Sequence, residues 1–194
     1  MVITSSKIES HWNYLLAIEG DLERLSRFIE FDHRNFECFS VEISRILLAS
    51  GPEVDVFCKQ ICRKLNSGST ANKIYHYQNE ILPSYSTIPV FNVLLPRYGL
   101  ELTPWDNWKV LNTPPDWWTA YNKIKHHRDA EYQQANLRNA LNAVGGLFVM
   151  VLYLYKEKAE EGELLPQTQI LHVGEDRFGG ITHSGYTLGI CYNL

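Results

Sequence analysis

Residues 114–130, PPDWWTAYNKIKHHRDA, set two tryptophans, a tyrosine, an asparagine and a cluster of lysine, histidine and arginine side chains within about five helical turns. At about 100° per residue, Trp117, Ala120, Tyr121 and Ile124 form one stripe, and Trp118, Asn122, Lys125 and His126 an adjoining face. The first stripe reads as core. On the second face, Asn122 and His126 stand four residues apart, so an amide and an imidazole can meet the same bound group, with Lys125 beside them. Histidine exchanges a proton near neutral pH, and lysine holds phosphate as a point charge. Asn122 and His126 are therefore the candidate catalytic pair. Lys125, His127, Arg128, Tyr121 and Trp118 are candidate ligand contacts. The plainer reading, a solvated polar face that contains histidines, stays open beside it.

The elements that must position this cluster follow from its flanks. Thr113 can cap a helix, Pro114 suits its first position, and Asp116 stands where a capping box places an acidic or amide side chain, which predicts a helix over 116–128. Arg128 falls on the apolar stripe by helical angle and would need a carboxylate if buried. Glu42 and Asp55, flanking a helix break, are the candidates to orient Lys125, His126 or Arg128 from behind. Glu42 and Arg45 equally fit a simple surface pair, worth about 0.5 kcal/mol.

Apolar residues at helical spacing predict a first helix over 9–31, including Phe28 and Ile29. Further helices are expected over 40–65, with Ser40 as N-cap, and over 70–82 and 130–158. Gly51-Pro52 should break or bend the second of these, with a new helix starting there. Gly145-Gly146, inside a helical pattern, marks a kink or a close approach. Prolines at 89, 96, 104, 114 and 115 allow no long helix across 84–112, which reads as an ordered excursion with one or two short strands. Residues 165–194 read as a small β element. The expected fold is a single, mainly α-helical bundle.

The formal charge of −4 gives no global attraction to phosphate, so nucleic-acid binding would rest on the local cluster at 123–128. The start of the chain has no apolar leader, and the longest apolar run, 141–155, falls short of a bilayer span and reads as a core helix. No membrane association and a cytoplasmic location are expected. Cys58 and Cys62 read as ordinary buried thiols, and the cysteine spacing suggests neither a metal nor a cofactor.

PWDNWKVLNTPPDWWTAYNKIKHHR, followed by ANLRNALNAVGGLF, resembles helical proteins of the HEPN superfamily, and the resemblance extends over residues 9–158. Catalytic members of that superfamily are metal-independent ribonucleases, often toxins of prokaryotic defence or toxin–antitoxin modules. They carry an arginine, an adjacent polar residue and a histidine in an R-x4–6-H motif, and they pair so that two motifs face one cleft. The resemblance gives His126 the histidine position and Asn122 the polar position, while Tyr121 stands where the arginine is expected. It implies an RNA- or nucleotide-binding homodimer, active as an endoribonuclease if Lys125 or Arg128 replaces the missing cation. The alternative is a non-catalytic module with a decayed motif, anchored on a partner protein through the aromatic-rich segment 98–118.

Overall fold

Helix α5, Leu137–Leu154, has an apolar surface all round, and only Arg138 and Asn142 on it escape burial. Such a helix must stand inside a fold or a bilayer. In the computed structural model, which describes residues 9–184 and 187–194, α1 (Ser10–Leu25), α2 (Val41–Leu65) and α4 (Asp116–Glu131) cover it, α2 most extensively. Although α5 is long and apolar enough to cross a bilayer, 89% of it is buried among the other elements. The fold is mainly helical, as the periodicity predicts.

Several boundaries differ from the sequence expectation. The first helix ends at Leu25, and Phe28, expected on its core stripe, is 83% exposed. The expected 70–82 helix is the shorter α3, Ile74–Ile81. The expected 130–158 helix begins only at Leu137, where the Asn136 side chain accepts from the Asn139 amide at 3.0 Å. It ends at Leu154, whose carbonyl accepts from Lys64 Nζ, and a short α6, Lys156–Glu160, follows a non-helical Tyr155.

Ser40 does cap α2, accepting from the Ile43 amide at 3.2 Å. The break expected at Gly51-Pro52 does not occur, because α2 runs through both residues. Pro52 lies on the exposed side, where water can satisfy the carbonyl that loses its amide partner. Gly51 faces inward against the Tyr121 ring, and a Cβ there would lie 2.5 Å from Tyr121 Cδ2.

The proline-rich excursion forms β1 (Val93–Leu95) and β2 (Leu100–Leu102), an antiparallel pair turned by Gly99 at φ 62°. Val93 and Leu102 lie against Gly145, while Gly146 admits the Trp117 ring and its carbonyl accepts from Trp105 Nε1. The paired glycines therefore serve close approach. The C-terminal β element is split. β3 (His172–Val173) joins β1 in a sheet ordered β2-β1-β3, whereas β4 (Phe178–Ser184) and β5 (Thr187–Tyr192) form a separate hairpin. Glu19, buried on α1, accepts the backbone amides of Gln169, Ile170 and Leu171 at 2.9–3.0 Å and holds the chain leading to β3.

Candidate functional site

The helix that carries the predicted cluster starts later than Thr113 suggests. Pro115 occupies the N-cap position and Asp116 the first turn, where its charge favours the helix N-terminus. From there Trp117, Ala120, Tyr121 and Ile124 turn into the core as predicted, each at most 5% exposed. At His127 the backbone leaves helical geometry, with φ −139° and ψ 42°. The chain then doubles back, so that Gln133 and Gln134 line one small polar cavity with Asp116 from the opposite end of α4.

That reversal decides which side chains share a surface. Trp118, Asn122, His126 and His127 line a shallow open groove of about 450 Å³. Thr119 and Lys123 join them from α4, Ile74 and Tyr75 form the facing wall on α3, and Pro114 closes one end. The α3 wall is fixed by Gln78, which is 1% exposed. Its amide donates to the Trp108 and Val110 carbonyls at 3.0 and 2.9 Å, and its oxygen accepts from the Asn112 amide at 2.8 Å. Gln78 thus ties α3 to the loop that delivers Pro114 and the start of α4.

Within the groove, Asn122 donates to the Trp118 carbonyl at 2.9 Å, which leaves its own carbonyl oxygen as acceptor. The His126 and His127 ring centroids are 6.4 Å apart, and both residues are exposed. Lys123 supplies the positive charge, with its Nζ 3.4 Å from Glu131 Oε2. Trp118 is partly buried and Tyr75 is 38% exposed, and Lys73 Nζ stands 5.7 Å over the Tyr75 ring.

The remaining expected site residues lie elsewhere. Lys125 does not line the groove; its Nζ stands 5.7 Å over the Tyr121 ring. Arg128 is exposed rather than on the apolar stripe, because the break at His127 interrupts the helical phase, and its guanidinium lies 5.2 Å over Tyr132. Glu42 pairs with Arg45 on the surface at 2.8 Å, the plain surface pair. Asp55 accepts from the Tyr77 hydroxyl at 2.6 Å and pairs with Lys59. Tyr121, at the position of the expected arginine, is packed on Gly51 and belongs to the core. Trp105, Trp108 and Trp117 are at most 2% exposed and stack on one another, so they cannot serve as docking anchors.

The sequence reading missed Lys123, although the signal was present: Thr119, Asn122, Lys123 and His126 follow the i, i+3, i+4, i+7 spacing of a single helical face. Ile74 and Tyr75 had no such signal, since only the packing of α3 brings them across. No protein-family model, curated protein or solved structure matches this chain. The groove's own chemistry is aromatic surface beside an amide, two imidazoles and one ammonium. That set suits a flat ring carrying a phosphate.

Proposed function

We propose that this chain is a HEPN-like protein that binds RNA or a nucleotide in the groove between α3 and α4. The observation that carries the reading is the meeting of Trp118 and Tyr75 with Asn122, Lys123, His126 and His127 on one surface. Trp118 and Tyr75 offer faces for base stacking, which contributes roughly 1–3 kcal/mol per base. Lys123 and a protonated histidine attract the phosphate, and the Asn122 oxygen accepts from a base or a ribose hydroxyl. Metal-independent cleavage, as in defence or toxin–antitoxin ribonucleases, is the stronger form of the same reading. His126 would then accept the proton of a ribose 2′-hydroxyl and His127 protonate the leaving oxygen, with Lys123 beside the phosphate.

The test uses mixed-sequence single-stranded RNA with the purified chain in the presence of a chelator. Binding should weaken with salt, by roughly tenfold in Trp118→Ala and less in Lys123→Ala. Any cleavage should disappear in His126→Ala while binding persists. Absence of both salt-sensitive binding and cleavage in the unaltered protein ends this reading.

One observation favours a second reading, a non-catalytic protein-interaction module: the residue at the arginine position is a core tyrosine. Its docking surface would centre on Val110 and Leu111, 62% and 67% exposed just before Pro114, in place of the buried tryptophans. RNA-independent partner capture lost in Leu111→Asp and retained in Trp118→Ala would select it.

A further inference from the structure

Lys123 and Glu131 are eight residues apart, which in a straight helix places them about 12 Å apart along the axis. They meet here with the break at His127 between them, on the segment that doubles back along α4. The contact is a single 3.4 Å approach between partly exposed side chains, longer than a good charge-assisted hydrogen bond. Glu131 itself does not line the groove, whereas Lys123 does. The groove's one lining cation is thus held from behind by a carboxylate of the same chain.

Resting on the proposed phosphate-binding groove, we infer that Glu131 is a built-in competitor for Lys123 and sets the site's selectivity for anionic ligands. When a phosphate arrives, the ammonium exchanges the Glu131 carboxylate for a phosphate oxygen. A neutral ring that stacks on Trp118 gains nothing from that exchange. The exchange costs little, because a partly exposed ion pair of this length is worth at most about 1 kcal/mol. The carboxylate also keeps the groove from holding inorganic anions indiscriminately, since a weak anion does not outbid it.

The experiment measures binding of one short single-stranded RNA to the full chain, to Glu131→Gln, to Lys123→Ala and to the double variant, each across a series of salt concentrations. Glu131→Gln should tighten binding roughly 2–5-fold, the affinity equivalent of a partly exposed pair. It should also steepen the dependence of log affinity on log salt by about one unit, because the freed ammonium now releases a counterion on binding. Both effects should vanish in the Lys123→Ala background. Equal tightening with and without Lys123 would show a general effect of removing negative charge and overturn the inference. Unchanged affinity and slope in Glu131→Gln, with RNA still bound by the unaltered chain, would overturn it while leaving the groove intact. Failure of both the unaltered chain and Glu131→Gln to bind RNA would remove the groove reading and this inference together. Thermal unfolding of each variant separates any loss of fold from a loss of binding.

Discussion

Gln78 shows how a single buried amide governs the groove without lining it. Its three hydrogen bonds satisfy two carbonyls and one amide of the 108–112 loop, where Asn112 adopts a positive φ of 58°. Gln78→Leu leaves these groups without partners, each unsatisfied buried group costing about 1–3 kcal/mol. Thermal unfolding should fall by roughly 5 °C or more, given 2–4 °C per kcal/mol for a chain of this size; an unchanged midpoint would mean that the loop is held by other contacts. The buried thiols make a second residue-scale argument. Burial, and then the nearby Glu80, push Cys62 up to about 12, and burial raises Cys58 as well. Between the ordinary thiol value of 9.0 and about 12, the unfolded chain has released the Cys62 proton while the folded chain keeps it. Stability therefore declines as pH rises through that window. Denaturant titrations from pH 8 to 11 should show this decline, with a shallower slope in Cys62→Ala; equal slopes would place the alkaline loss elsewhere.

Among the elements, the crossing of α2 and α4 at Gly51 and Tyr121 sets how close the site helix lies to the bundle. Alanine is about 1 kcal/mol better than glycine in a helix interior. At this position its Cβ would meet a buried aromatic ring at 2.5 Å, and the ring cannot yield as a flexible chain end does. Overpacking of this kind costs about 1–3 kcal/mol, so Gly51→Ala should destabilise the protein to urea despite the gain in propensity. The penalty should shrink or reverse in a Tyr121→Leu background, and equal penalties in both backgrounds would show that the two residues are not coupled. The same contact explains why α2 tolerates Gly51-Pro52 without a break. Glycine admits the ring on the inner side while proline stays on the outer one, and the packing outweighs the local preference.

For the whole molecule, burial of Trp105, Trp108 and Trp117 removes the surplus of aromatic surface that the sequence offered for self-association. The case for paired copies rests instead on the groove. It is shallow and its lining cation is already engaged by Glu131, so two grooves facing one ligand would sum fields that are weak singly. On the HEPN-like reading, sedimentation at micromolar concentration should give a species of twice 22.4 kDa. A monomer across that range would remove the composite site and leave a single-chain groove.

The sequence by itself determined the helical class, the core stripe of α4, the Ser40 cap, the central apolar helix and the close approach at Gly145-Gly146. All of these depend on interactions within a few residues or on burial forced by composition. It also placed Trp118, Asn122, His126 and His127 on one helix, and they do share a surface. Only the tertiary structure decided where that helix stops. The reversal at His127 moves Arg128 off the apolar stripe and brings Glu131 back to Lys123, and no local propensity marks it. Tertiary packing likewise chose the facing wall, because Tyr75 reaches Trp118 through the Gln78 bonds to a loop some thirty residues downstream. Helical periodicity states which side of a helix is buried, but it carries no information about which distant segment lies across from the exposed side, since long-range packing selects that partner.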